Sequence, residues 1–285
     1  MVHRESTHAD CFMSVRRLHA TVRYPRLLVK VYIAHDILDS PPLPHRYRFL
    51  INPANEALSG TRQPYLPIGG PVPTIKLESA LSTSRWGGMD AGANMLYAVQ
   101  VLDGAVHAQC GPQLLSFLQK LPEQSPFVDQ AGQRIRCPVG SAVKSPSFGS
   151  LATRFTEIIH TAPPFQSDPD WEALLLRSYL SSFRLAWPLG EMALRPSVVA
   201  TVLLGAGCRG ISVNNAARVA AQACAAFDQE VLATDSESVC AAVDLAFGDM
   251  GDDDDASHAC QRVLHFILRE RDHCERLVGT MKAQL

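Results

Sequence analysis

Apolar and polar positions follow two different periods along this chain. LLVKVYI (27–33) and YRFLI (47–51) are apolar at most positions and are bounded by turn formers. That is the pattern of strands buried on both faces. FTEIIH (155–160), VVATVLL (198–204) and EVLA (230–233) read the same way. Between them the period lengthens. Residues 103–121, 171–187, 213–227 and 237–247 carry apolar side chains at helical spacing, and the third of these is rich in alanine. Strands that alternate with helices predict an α/β sheet with helices on both faces.

Three stretches interrupt the pattern. DSPPLPH (39–45) is a Pro-rich loop. Residues 60–88 are dense in Gly, Pro, Ser and Thr, the composition of a long excursion, and such loops are often functional. GDMGDDDDAS (248–257) holds four consecutive aspartates, which repel one another and belong in solvent. The predicted organisation is an extension over 1–26, frayed at its start, and a domain over 27–248 with an insertion at 60–100. An acidic linker and one amphipathic helix (260–281) follow over 249–285 as an appendage.

Composition narrows the class. Of 285 residues 47% are hydrophobic and 19% charged, so most of the chain packs a core. A formal charge of -2 gives no nucleic-acid footprint. No apolar run has the length of a bilayer span, and the first residues lack the apolar region of a signal peptide. The eight cysteines form no CxxC pair, and reduced thiols are expected. These features predict an intracellular protein, cytoplasmic or nuclear, with no membrane partner.

Chemistry concentrates at strand ends. The strand over 47–51 runs into INPAN, where Asn52 and Asn55 flank Pro53. Proline cannot donate to a ladder and stops the strand, so polar side chains gather where it leaves the sheet. In open α/β sheets ligands bind at that end; a plain Asn-Pro turn is the other reading. The strand over 198–204 runs into LLGAGCRG, with Gly205, Gly207 and Gly210 in GxGxxG spacing before a helix. Glycines let the backbone approach a diphosphate, and helix-start N–H groups bind the anion. A dinucleotide-dependent oxidoreductase is one reading, with Asp235 as its ribose-binding acid. The βαβ unit lies near the C-terminus, however, and the segments before it carry polar signatures that such an enzyme does not need.

Four segments, in order, resemble the macrodomain family. AHDI, with Asp36, is similar to the family's Gly-Asp-Ile-Thr motif, and INPAN to its Asn-Ala-Ala-Asn motif. LDGAVHAQCGPQLL is similar to its Val-Asp-Gly-Ala-Ile-His helix. CPVGSAVKSPSFG with IIHTAPP is similar to its Cys-Pro-Thr-Gly-Glu-Ala and Ile-His-Thr pair. LLGAGCRG falls where the family places its second phosphate loop. The resemblance runs from about residue 27 to about 247.

The resemblance implies a three-layer α/β/α fold with a mixed central sheet, and a site for ADP-ribose or ADP-ribosylated proteins. No cofactor and no metal are implied. Asp36, with Ile37 beside it, would receive the adenine amino group, since an ionised carboxylate only accepts. Its other reading is a turn cap. Asn55 would bond the distal ribose, with Asn52 shaping the same loop. Gly205, Ala206, Gly207, Cys208, Arg209 and Gly210 would hold the diphosphate. Asp103, followed by Gly104, matches the acid that hydrolytic members place beside the distal ribose to help activate a water. An acid at a helix start equally satisfies the macrodipole.

The chain departs from the family in two places. Residues 60–100 replace the short glycine string, and within them GGMDAG makes Asp90 a competitor for Asp103. Arg209 stands where an aromatic residue is frequent, and either phosphate pairing or a solvent-facing side chain fits it. His107 and His160 read as packed histidines. Ser141, Ser145 and Ser147 show no acid–base partner that would make a nucleophile. His258, Cys260, His265, His273 and Cys274 crowd the tail without a standard zinc spacing. Two functions remain open, a hydrolase acting on mono-ADP-ribosyl acidic side chains or O-acyl-ADP-ribose, and a non-catalytic reader.

Overall fold

The computed structural model of the protein describes residues 16–34, 36–38, 47–60, 102–128, 133–189, 197–207, 209–234 and 262–285. Among the described residues seven strands form one sheet: β1 (Arg17–Arg23), β2 (Leu27–Ile33), β3 (Tyr47–Pro53), β4 (Ala142–Pro146), β5 (Phe155–Thr161), β6 (Ser197–Thr201) and β7 (Arg262–Leu268). Their order is β1-β2-β7-β6-β3-β5-β4. The five inner strands are parallel, and β1 and β4 close the edges antiparallel. The sheet is therefore mixed, and its order is not the 3-2-1-4-5-6 of a doubly wound dinucleotide fold.

Helices cover both faces. On one lie α3 (Trp171–Ala186), α4 (Val213–Thr234) and α5 (Arg271–Lys282); on the other lie α1 (Leu102–Cys110) and α2 (Pro112–Leu118). Strand side chains alternate between these layers. Phe49 and Ile51 of β3 join the first core, while Leu50 joins the second. The alanines of α4, among them Ala216, Ala217, Ala220 and Ala221, are fully buried and let that helix lie close to its neighbours. Larger rings fill what remains. Phe183 of α3 stacks between Tyr179, Trp187 and Phe227 at centroid distances of 5.5–6.0 Å.

Several expectations change. The helix expected over 103–121 is two helices, because Gly111 turns with φ 71° and Pro112 begins α2 without an N–H to give back. The strand expected over 230–233 is the last part of α4. The helix expected over 260–281 is β7 followed by α5. RVLHFIL is apolar on both faces because β7 lies between β2 and β6, inside the sheet. The tail thus supplies a central strand where an appendage was expected. β1 likewise comes from the segment expected as an extension. The helix expected over 237–247 lies outside the described residues.

Of the tail histidines and cysteines, His258 and Cys260 lie outside the described residues, and His265 and Cys274 do not converge. The ring of His265 lies near Tyr32 and Tyr47, on the α1 side, whereas Cys274 is buried in the opposite core. Among the described residues no group of three His, Cys, Asp or Glu could hold a metal, and no helix is long and apolar enough to cross a membrane. Cys110, Cys137, Cys224 and Cys274 are buried free thiols.

If β7 is a central strand, Phe266→Ala should be expensive, since Phe266 is fully buried in the first core. The expected loss is about 3–5 kcal/mol of unfolding free energy, read from urea denaturation. A loss below about 1 kcal/mol, the range of ordinary surface substitutions, would remove β7 from the sheet.

Candidate functional site

The carboxyl ends of the five parallel strands share one edge of the sheet. Loops from β3 (residues 54–60) and β6 (residues 202–212) leave that edge side by side, and Asp103 lies in the first turn of α1. Asn52 sits on β3 directly opposite His160 of β5. Its side chain is fully buried and donates from Nδ2 to Asp103 Oδ1 at 2.8 Å. The same nitrogen lies 3.3 Å from His160 Nδ1, and His160 Nε2 lies 2.9 Å from Ser145 Oγ. Asp103 is itself only 2% exposed, and His107 Nε2 lies 3.8 Å from its Oδ1.

The β3 loop holds itself together. Asn55 accepts from the Ser59 N–H at 3.0 Å and donates to the Gly60 carbonyl at 3.2 Å. The turn reading of Asn55 is therefore realised in this loop. Leu58 adopts φ 54°, a costly conformation held by its own burial and by these bonds. Gly60 lies flat on His107: a Cβ there would come within 2.8 Å of the imidazole. Asn52, by contrast, points beneath the loop to Asp103.

The β6 loop is anchored from three sides. Tyr179 Oη accepts the Leu204 N–H at 2.8 Å. Gly205 turns with φ 79° and packs under Ile211, where a side chain would collide. Ala206 is partly buried against the core, and the Gly210 N–H closes on the Gly207 carbonyl at 3.0 Å. Gly207 differs from its neighbours. Among the described residues nothing lies within 4 Å of a Cβ added there, so the fold's own sterics do not require this glycine.

Arg209 does not point to solvent. It is 7% exposed, donates to the Ala54 carbonyl at 3.0 Å and stacks over Phe165 at 4.2 Å. Its own carbonyl accepts the Gln166 N–H. The guanidinium thus fastens the loops after β3, β5 and β6 together, and Phe165 and Ala54 carry it. Nothing in their spacing along the sequence signals this.

Asp36 is half-buried after β2, and its Oδ1 accepts the Leu38 N–H at 2.8 Å, which is the turn-cap role. Ile37 is 6% exposed and packs into the α1-side core. Gly104 is buried beside Asp103. Cys208 and Asp90 lie outside the described residues. The partner of Ser145 escaped the sequence, because His160 is brought to it only by the pairing of β4 with β5. That pair is 1% and 0% exposed and buried in the core, which is no place for a nucleophile.

Residues 92–220 match the family model described as Macro domain. Over that span the chain is similar to the macrodomain family. The matched span includes Asp103, Ser145, His160 and the β6 loop. The chain is similar to an O-acetyl-ADP-ribose deacetylase of Escherichia fergusonii, with 33% identity over 106 residues, 36% of this chain and 53% of that protein. The chain therefore spans about half the length of that curated relative. In structure it is similar to a mutant form of the Oceanobacillus iheyensis macrodomain, at 15% identity and TM-score 0.56, covering 97% of this chain and 96% of that one. The same Oceanobacillus macrodomain solved with ADP matches at 17% identity and TM-score 0.56, covering 95% of this chain and 98% of that one. At such identities the likeness concerns the fold.

Two histidines of the chain are buried neutral. Burial, then the nearby His107, lowers the pKa of His160 to about 3. Burial, then Arg16 and Lys30, lowers that of His265 to about 2. In the unfolded chain both titrate near pH 6.5. Below that pH the unfolded state takes up protons that the folded state refuses. Their contribution is therefore fully present above about pH 6.5 and is lost as the pH falls toward the folded values. The urea midpoint is expected to drop between about pH 7.5 and about pH 5, and less so in His160→Asn. Equal drops in both proteins would show that His160 titrates normally.

Proposed function

We propose that this protein binds ADP-ribose at the carboxyl edge of its sheet and is a hydrolase. Its substrates would be mono-ADP-ribose on acidic protein side chains or O-acyl-ADP-ribose. The observation that carries the reading is the buried Asn52–Asp103 contact at 2.8 Å, placed between the β3 loop and the first turn of α1. The β6 loop lies beside it, pinned by Arg209, with backbone around Gly207 that a diphosphate can approach. The name of the Escherichia relative, O-acetyl-ADP-ribose deacetylase, points the same way.

Both reactions need one pocket that fixes a distal ribose and a water, so positioning supplies much of the rate. On a glutamyl or aspartyl ester, water adds at the anomeric carbon and the protein carboxylate leaves. On O-acyl-ADP-ribose, water adds at the ester carbonyl and the ribose hydroxyl leaves. Asp103 would orient the ribose and the water. Asp36 would accept from adenine, because an ionised carboxylate has acceptor sites beyond the one that holds Leu38.

A reader without catalysis is the second reading. It draws on the Asn55 amide, which is engaged with Ser59 and Gly60, and on the depth of Asp103. A time course of ADP-ribose release from a protein mono-ADP-ribosylated on glutamate or aspartate separates the two. Wild type should release, and Asp103→Ala should lose at least about 100-fold in rate. Tight calorimetric binding without release would make the protein a reader.

Binding has its own tests. Asp36→Ala should weaken ADP-ribose by about 10- to 100-fold, the worth of a charge-assisted hydrogen bond, and unchanged affinity would remove the adenine assignment. Gly207→Glu should abolish binding by setting bulk and negative charge against the diphosphate. Retained binding would move the site elsewhere.

A further inference from the structure

We infer that His160, held by Ser145, is a positioning residue that acts on Asp103 through Asn52. The inference rests on the hydrolase reading for its kinetic consequence, but not for its geometry.

Three adjacent strands build the row. Ser145 comes from β4, His160 from β5 and Asn52 from β3, and Asp103 stands over its end from α1. Successive polar atoms lie 2.9, 3.3 and 2.8 Å apart, and no member is more than 2% exposed. A buried row of this kind is costly to desolvate, and an apolar side chain at 160 would fill the space at lower cost. What the polar row adds is direction.

The direction follows from donors and acceptors. The Asn52 amide must turn its NH2 toward Asp103, since an amide oxygen there would face a carboxylate. The same nitrogen lies against His160 Nδ1. That ring atom must therefore accept, which assigns the histidine proton to Nε2 and its hydrogen bond to Ser145 Oγ. Burial keeps the ring neutral, with a pKa lowered to about 3. A proton on Nδ1 would oppose the Asn52 NH2, flip the amide and turn its oxygen onto Asp103. The tautomer of one core histidine thus sets the orientation of the pocket's acid. Asn52 Oδ1 is buried without a partner, so no other described contact holds the amide in this sense.

The test uses the whole chain and two readouts. Nitrogen NMR of His160 should show Nδ1 unprotonated and Nε2 protonated, unchanged between about pH 5 and 8. A proton on Nδ1 overturns the inference whether or not the protein is an enzyme. Asn52 side-chain amide protons should exchange faster in His160→Leu, and slow again in His160→Asn, whose amide oxygen can stand in for Nδ1. Equal exchange in all three overturns it too. In turnover, His160→Leu should lower kcat by up to about 100-fold while the Kd for ADP-ribose changes less than about threefold, and His160→Asn should recover most of the loss. Ser145→Ala, a smaller change to the core, should act in the same direction if the leucine variant does not fold. A wild type without turnover would refute the hydrolase and leave the NMR to decide the inference. A fall in affinity equal to the fall in kcat would make His160 a binding or folding residue.

Discussion

β7 joins two parts of the sheet that would otherwise not meet. β1 and β2 stand on one side of it, and β6, β3, β5 and β4 on the other. Its backbone pairs along most of its length with both neighbours, and its side chains serve both cores. A strand in that position must be apolar on both faces. RVLHFIL meets the requirement, except at His265, which is held neutral by burial and accepts from Arg16 and Tyr47. The last strand in the sequence thus sits near the middle of the sheet. It does so although a long stretch of chain, from Thr201 to Arg262, separates it from its neighbour β6.

The candidate site depends on that sheet in a specific way. Parallel strands place their carboxyl ends together, so the loops after β3, β5 and β6 emerge side by side. Loops so placed would splay without ties between them. Arg209 supplies those ties with a hydrogen bond to Ala54 and a stacked ring on Phe165. Tyr179 fixes the start of the β6 loop from below. Asn52 reaches from the β3 ladder to Asp103 at the start of α1. Rigid elements therefore position each polar group, and the loops add backbone that can approach a ligand closely.

Some of this could be read directly from the residues. Leu27–Ile33 and Tyr47–Pro53 announce themselves as short apolar runs between turn formers, and Gly205 to Gly210 as a strand-to-helix turn built from glycine. Other parts could not. The segment 260–281 places apolar residues at spacings that satisfy a helix as well as a buried strand, and only its neighbours in the sheet decide between them. Residues 230–233 look like a strand alone, but extend a helix whose buried face continues through Val231. Asn52 and His160 lie 108 positions apart and meet only through strand register. Each reads alone as a turn former or a packed histidine, because neither pattern contains the other.

The chain determined by itself what is local. It set which segments are apolar enough to pair, where proline and glycine stop them, and which polar types stand at their ends. Such choices rest on steric limits and on the period of apolar side chains, both of which act over a few residues. The tertiary structure decided which strands became neighbours, which face each side chain met and which donor found which acceptor. Those depend on burial and hydrogen bonding between groups far apart in sequence. The site belongs to the second kind: Asn52 becomes the support of Asp103 only when β3 pairs with β5 and α1 lies across them.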